Sequence, residues 1–158
     1  MFSFAMINQN PSLKAVVFDL PNVIPITKRY IENEGYKGKV ETVSGDYLKD
    51  ELGEGYDMIF LSAIIHSNSP EENILLIKKC TSALNSKGQI VIMDNIMDED
   101  RVSPYNGALF ALNMLVGTDN GDTYTEAEVN SWMSKAGIKE FRRIDTEFEN
   151  SLIIGKKQ

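Results

Sequence analysis

Residues 56–94 read YDMIFLSAIIHSNSPEENILLIKKCTSALNSKGQIVIMD and contain the most informative pattern in the chain. The run YDMIFLSAII is continuously apolar, which is typical of a strand buried on both faces of a parallel sheet. A helix start follows, because Ser69 is a good N-cap, Pro70 suits the first helical position and Glu72 completes a capping box. NSKG ends that helix, and QIVIMDNIM predicts the next strand. The order strand, helix, strand predicts two parallel strands joined by a right-handed crossover.

The segments on either side continue this alternation. Those rich in β-branched and aromatic residues predict strands, namely KAVVFDL (14–20), KVETVSGDY (39–47), KEFRRIDTEF (139–148) and SLIIGKK (151–157). The predicted helices are FSFAMINQ (2–9), NVIPITKRYIENEG (22–35), ALFALNMLVG (108–117) and TEAEVNSWMSKAG (125–137). We therefore predict one α/β domain over residues 1–158, with a mainly parallel sheet and an antiparallel C-terminal hairpin that turns around Glu149-Asn150.

The composition excludes several classes of protein. The 158 residues carry a net charge of −7, with a pI near 4.8, so a nucleic-acid partner is not expected. Cys80 is the one cysteine, which excludes an internal disulfide and favours a reducing compartment. We see no signal peptide and no apolar run of about 18 residues, so no membrane association is expected. The chain is predicted to be cytoplasmic.

Polar and charged side chains follow the predicted strands. In open α/β sheets, ligands bind at the carboxyl ends of the strands. Those ends carry Asp19, Asp46, Ser62, His66 and Asp94. These five residues are therefore the first candidates for a functional site.

Five segments occur in an order and spacing that resemble one enzyme family. They are VVFDLPNV, VSGDYL, LSAIIHSNSPEEN, LNSKGQIVIMDNIM and ALNMLVGTDNGDTYTEAEVNSWMSKAG. Together they resemble the S-adenosylmethionine-dependent O-methyltransferases, in the branch of the caffeate-type and hydroxyindole O-methyltransferases and their bacterial relatives. The resemblance implies a Rossmann-like class I methyltransferase fold. It also implies methyl transfer from S-adenosylmethionine to a hydroxyl of a small acceptor, expected to be aromatic.

The resemblance implies a set of cofactor-binding residues. Asp19 would accept the ribose hydroxyls and Leu20 would pack on adenine. Asp46 would accept a hydrogen bond from the adenine amino group, Tyr47 would lie against the ring, and Ser62 would lie near the cofactor. Two simpler interpretations stay open, because Asp19 could cap a turn through the following proline and Asp46 could belong to a plain Gly-Asp turn.

The resemblance also implies a catalytic base. His66 is the one histidine, and in the family a histidine at this point deprotonates the acceptor hydroxyl. Asp94 stands where the family often has a glutamate that orients the histidine, although Asp is one methylene shorter. The family usually has Asp-Trp where Ser67 and Asn68 stand here, and Thr123 replaces a second glutamate. The alternative is a histidine that only packs or caps at the helix entry.

Two further interpretations concern the acceptor and metals. Asn113 and Met114 lie on the helix that lines the acceptor pocket in relatives. Asn113 could instead satisfy backbone groups in the core, and Met114 could be plain core. The consecutive acids Asp98, Glu99 and Asp100 match no defined metal site, and consecutive acids on a loop are usually solvated. No metal is expected.

The family's first strand and glycine-rich loop have no counterpart ahead of FSFAMINQN. A partial domain is therefore expected, with unpaired strand edges that favour a homo-oligomer. The alternative function is a non-catalytic fragment or partner module with the methyltransferase fold. A nicotinamide-dependent dehydrogenase would also place an acid after a strand, but it requires G-x-G-x-x-G ahead of that acid.

Overall fold

The computed structural model describes residues 2–148 and 150–158. It divides after Leu52 into two compact units, which we call the amino-terminal and carboxy-terminal units. The single-domain organisation expected from the sequence stays a prediction. Glu149, one half of the predicted hairpin turn, lies outside the described residues.

The amino-terminal unit is two helices and two strands. Its elements are α1 (Phe2–Gln9), β1 (Ala15–Asp19), α2 (Ile24–Asn33) and β2 (Val40–Ser44). β1 and β2 are parallel, and their register places Asp19 opposite Ser44. A small core of Ile7, Ile31 and Val40 holds the helices against the strands. The carboxyl ends of both strands therefore lie at the same edge.

The carboxy-terminal unit contains the four-stranded sheet. Its elements are β3 (Tyr56–Ser62), a 3-10 turn (Ile65–Ser67), α3 (Pro70–Ala83), β4 (Leu84–Asp94), β5 (Ile96–Met97), α4 (Tyr105–Gly117), β6 (Tyr124–Thr125), α5 (Glu126–Lys135), β7 (Ile138–Asp145) and β8 (Ser151–Lys157). The strand order is β3-β4-β8-β7, and β5 pairs separately with β6. β3 and β4 are parallel, whereas β8 is antiparallel to both β4 and β7. The mixed α/β class and the C-terminal hairpin are confirmed.

The capping box predicted at Ser69 is confirmed, and a second box starts α5. Ser69 and Glu72 exchange hydrogen bonds at the start of α3, and Thr125 and Glu128 do the same at the start of α5. Each box pairs backbone N–H groups that would otherwise lack partners in the first helical turn. These helix starts are therefore decided by residues three apart in the sequence.

Three strand predictions are wrong in detail. The strand predicted over 56–65 ends at Ser62, and the chain then enters the 3-10 turn that carries His66. Residues 58–61 are partly exposed rather than fully buried, because β3 lies at one edge of the four-stranded sheet. The strand predicted to begin at Gln89 already begins at Leu84, so NSKG (85–88) follows the end of α3 as part of β4, where Lys87 adopts a φ of 65°.

The core of the carboxy-terminal unit lies between α3, α5 and the sheet. Cys80 is buried there, and burial raises the pKa of its thiol to about 12. Lys157 Nζ donates to the backbone oxygens of Thr81 at 2.7 Å and Leu84 at 2.6 Å, so a cation on β8 caps the last turn of α3. No helix among the described residues has the length and apolar character to cross a membrane.

Candidate active site

A histidine and an aspartate meet at one end of the carboxy-terminal sheet. The 3-10 turn after β3 carries His66, and Asp94 is the last residue of β4. His66 Nδ1 lies 2.7 Å from Asp94 Oδ1, with side chains 13% and 2% exposed respectively. Because an ionised carboxylate can only accept, Nδ1 is the donor, and in the neutral imidazole the lone pair then lies on Nε2. The aspartate therefore reaches the histidine despite being shorter than glutamate.

The carboxylate of Asp94 has few other partners. Its Oδ1 also accepts from the Asn95 backbone N–H at 2.9 Å. Its Oδ2 is buried and accepts no hydrogen bond from the residues that the structure describes. A buried carboxylate with so few donors stabilises positive charge on the adjacent ring when the imidazole takes up a proton. This geometry is compatible with the predicted roles of His66 as a base and Asp94 as the acid that orients it, and the roles stay predictions.

Helix α4 forms an apolar surface beside the imidazole. The Phe110 ring packs edge-on against His66, with centroids 4.9 Å apart and an interplanar angle of 86°. Asn113 and Met114 follow three and four residues later, so they lie on the neighbouring part of the helix surface. Met114 is half-buried and Asn113 is exposed. The interpretation of Asn113 as a core residue that satisfies backbone groups is therefore wrong.

Ser62 lies at the same end of this sheet. It is the last residue of β3, and the register pairs it with Met93, the residue before Asp94. Its side chain is partly exposed. The structure therefore brings Ser62, His66 and Asp94 to one edge, as expected for the ends of neighbouring parallel strands.

Asp19 and Asp46 lie together at the strand ends of the amino-terminal unit. The Gly45 backbone N–H donates to the Asp19 carbonyl oxygen at 2.9 Å, which ties the two ends together. A Cβ on Gly45 would lie 2.5 Å from the Phe18 ring, so only glycine lets this backbone approach so closely. The neighbours Leu20 and Tyr47 are exposed and partly exposed respectively.

Both carboxylates also stabilise local turns. Asp19 Oδ1 accepts from the Leu20 N–H at 2.8 Å, and Asp46 Oδ1 accepts from the Leu48 N–H at 3.0 Å. Asp46 Oδ2 forms an ion pair with Lys49 Nζ at 2.8 Å. The turn-capping interpretations therefore describe real contacts, and they do not exclude a ligand because a carboxylate has about four acceptor sites.

These residues fit a nucleoside. Asp19 Oδ2 accepts no hydrogen bond from the described residues, so it is available to a ribose hydroxyl. Exposed Leu20 and the Tyr47 ring offer apolar surface of the kind that adenine contacts. These carboxylate and apolar side chains are thus chemically compatible with S-adenosylmethionine. The role of each individual residue stays a prediction.

The acidic loop after β5 is a structured turn. Asp100 Oδ1 accepts from the N–H groups of Val102 and Ser103, and these bonds hold the pKa of Asp100 below its usual range. Within residues 2–148 and 150–158, no three His, Cys, Asp or Glu side chains form a group that could hold a metal ion.

Sequence reasoning missed residues that contact the backbone around His66. Asn73 and Tyr124 donate to carbonyls of the turn, and Gly121 packs against the His66 carbonyl. A signal for Asn73 was available, since it is a polar residue in register with the buried Leu76, Ile77 and Cys80 of α3. No comparable local signal marks Tyr124.

Comparison with known proteins gives a consistent result. The model of the O-methyltransferase domain family matches residues 2–139. The chain is 35% identical over 151 residues to 3-hydroxy-5-methyl-1-naphthoate 3-O-methyltransferase of Streptomyces sahachiroi, covering 94% of this chain and 44% of that protein. It therefore spans less than half the length of that relative.

Solved structures agree in fold. PigF with SAH superposes with a TM-score of 0.89 at 26% identity, over 98% of this chain and 46% of that one. Human N-acetylserotonin methyltransferase in complex with SAM gives a TM-score of 0.85 at 27% identity, over 96% and 42% respectively. In both comparisons this chain again spans less than half of the other protein.

Proposed function

We propose, since this chain belongs to the O-methyltransferase domain family, that it takes part in methyl transfer to a hydroxyl of a small aromatic acceptor. The observation that carries this proposal is the buried pair of His66 Nδ1 and Asp94 Oδ1, 2.7 Å apart, which leaves Nε2 as a base. S-adenosylmethionine is the cofactor on which this family depends.

The residues of the carboxy-terminal unit would perform the proton transfer. S-adenosylmethionine, when bound, would supply the methyl group, and the bond from that carbon to sulfur would break as its bond to the acceptor oxygen forms. His66 Nε2 accepts the proton that the hydroxyl loses, and the imidazole becomes positively charged. Asp94 keeps Nδ1 protonated and stabilises that charge. Phe110, Met114 and Asn113 would contact the acceptor, the first two through apolar atoms and Asn113 through its amide.

Four residues of the amino-terminal unit would hold the cofactor. Asp19 would accept its ribose hydroxyls, Asp46 its adenine amino group, and Leu20 and Tyr47 would contact the ring. The tight approach of Gly45 to Phe18 supports this assignment, because it fixes the backbone that carries Asp46. The two solved structures named above contain SAH and SAM respectively, which is consistent with the same ligand.

Replacing Asp46 by alanine is expected to weaken binding of S-adenosylhomocysteine by about 10- to 100-fold, since a hydrogen bond to a charged group is lost. Isothermal titration calorimetry on the wild-type chain and the variant measures this. Glu41→Ala is the matched control, because Glu41 is an exposed acid on β2, the strand that precedes Asp46, and lies away from its carboxyl end. Thermal unfolding checks that the turn after β2 still forms.

Two results would count against the cofactor assignment. Equal affinity of wild type, Asp46→Ala and Glu41→Ala would exclude Asp46 from the site. No binding by the folded wild-type chain would remove the cofactor assignment for this chain and favour the non-catalytic partner module instead.

We also propose that the chain forms a homo-oligomer through α4. This helix carries no charged residue, and a set of large apolar side chains on it is exposed, namely Tyr105, Leu109, Leu112, Leu115 and Val116. Positions 105, 109, 112 and 116 follow the alternating spacing of four and three residues that helix pairs use. Isolated exposed apolar residues are ordinary, but a continuous stripe favours a protein partner.

The double substitution Leu112→Lys with Val116→Lys is expected to shift the chain to monomer in sedimentation velocity, because it places two charges in the contact. Leu75→Lys is the control, since Leu75 is exposed on α3. A wild-type chain that is monomeric, or a double variant that stays associated, contradicts this assignment of α4.

A cytoplasmic location is a further proposal. Cys80 is the one cysteine of the sequence and is buried as a thiol, which is the pattern expected in a reducing compartment.

A further inference from the structure

The turn that carries His66 is fixed by hydrogen bonds to backbone carbonyls of residues 65–68. Three of these oxygens accept a hydrogen bond, and each donor lies on a different element of the carboxy-terminal unit. The pairs are Asn73 Nδ2 to the Ile65 oxygen at 2.9 Å, the Asp122 N–H to the His66 oxygen at 3.0 Å, and the Tyr124 hydroxyl to the Asn68 oxygen at 2.5 Å. The turn is thus fixed from α3, from the loop after α4 and from β6.

Asn73 has the central place in this arrangement. Its side chain is fully buried, its Nδ2 donates to the Ile65 carbonyl, and its Oδ1 accepts from Asn68 Nδ2 at 3.1 Å. One amide therefore links the residues on both sides of His66. Asn73 is itself placed by the capped first turn of α3, where its backbone N–H donates to the Ser69 oxygen at 3.0 Å.

Tyr124 supports the same turn from the other side. It is buried, and its ring packs against Trp132 with centroids 4.8 Å apart. Burial raises the pKa of Tyr124 to about 12, so its hydroxyl stays protonated and can donate to Asn68 up to strongly alkaline pH.

The geometry of the imidazole depends on this backbone. His66 Nδ1 is 2.7 Å from Asp94 Oδ1, and a displacement of about 1 Å would take the pair outside hydrogen-bonding distance. We infer that Asn73 is a positioning residue, which fixes the turn so that Nδ1 stays on Asp94 and Nε2 faces the acceptor. This role rests on the proposed function of His66 as the base.

The single histidine makes the inference directly measurable. Because the chain contains one histidine, ¹⁵N labelling of histidine gives one pair of ring signals whose shifts report the neutral tautomer. The wild-type chain is expected to hold the Nδ1–H tautomer. Asn73→Asp keeps the size of the side chain but replaces the donor with an acceptor, and is expected to lower the Nδ1–H population by about half.

Two further variants separate positioning from folding. Thr81→Val is the matched control, because it removes a hydrogen bond from Thr81 Oγ1 to the Ile77 oxygen within the same helix, and should leave the tautomer unchanged. Tyr124→Phe removes the donor to Asn68 while keeping the aromatic ring, so it tests the same turn if Asn73→Asp does not fold. It is expected to change the tautomer in the same direction.

The outcomes distinguish this inference from the proposed function. A folded Asn73→Asp chain with the wild-type tautomer overturns the positioning role. If Asn73→Asp does not fold, a Tyr124→Phe chain with the wild-type tautomer overturns it instead. A changed tautomer supports it, whether or not methyl transfer is detected in any variant. Where turnover is measured, Asn73→Asp should lower kcat and leave the KM for the acceptor unchanged.

Discussion

Replacing His66 by glutamine is expected to lower kcat for methyl transfer by about 10²- to 10⁴-fold. Glutamine keeps a polar side chain near Asp94 but has no nitrogen that can take up a proton at neutral pH. The acceptor hydroxyl would then have to lose its proton to water. Steady-state assays with a small hydroxylated aromatic acceptor and S-adenosylmethionine measure the effect.

The controls isolate the proton transfer from binding. Affinity for S-adenosylhomocysteine should be unchanged in His66→Gln, and Ser67→Ala, at the exposed next residue, should retain the wild-type kcat. Asp94→Asn should also reduce kcat, because an amide can hold the ring in the wrong tautomer. If the kcat of His66→Gln stays within about threefold of wild type, His66 is not the base, and the rate enhancement comes from the proximity and orientation of the two substrates.

Replacing Gly121 by alanine is expected to destabilise the folded chain by about 1–3 kcal/mol and to release His66 from Asp94. An added Cβ would lie 2.3 Å from the His66 carbonyl oxygen and 2.4 Å from Thr118 Oγ1. Neither atom can move freely. The carbonyl is bonded to the Asp122 N–H, and Thr118 Oγ1 donates to the Met114 oxygen at 2.7 Å.

Gly117→Ala provides a matched control four residues earlier. An added Cβ there meets nothing within 4 Å, and the residue ends α4, so its stability should change by no more than about 0.5 kcal/mol. Urea unfolding gives the stability of each variant, and the ¹⁵N signals of His66 give the tautomer. A Gly121→Ala chain with wild-type stability and the wild-type His66 tautomer would contradict this prediction, because it would show that the turn accommodates the added Cβ without losing stability.

The local structure follows from residues close together in the sequence. Ser69 with Glu72, and Thr125 with Glu128, mark two helix starts because a capping box involves only four consecutive residues. The alternation of strands and helices likewise predicts the α/β class. The ordered motifs imply the O-methyltransferase family, which the match over residues 2–139 then shows.

Strand burial was not predictable in the same way. The apolar run 56–65 resembles a fully buried strand, yet residues 58–61 are partly exposed and the strand ends at Ser62. An apolar run is the same whether a strand is central or at an edge, because its partners are set by pairing with distant segments. The position of His66 in a 3-10 turn depends on that early strand end.

The sequence by itself therefore determined the α/β class, the order of the main helices and strands, two helix starts and the strand-end residues that could act. Only the tertiary structure decided which of them meet. Parallel pairing of β3 with β4 brings Asp94 to His66 across 28 residues, and β6 brings Tyr124 to Asn68 across 56. The physical reason is the sequence separation of the interacting residues. Capping and hydrophobic periodicity involve residues a few positions apart, whereas these hydrogen bonds form only when distant segments pair and pack in the correct register.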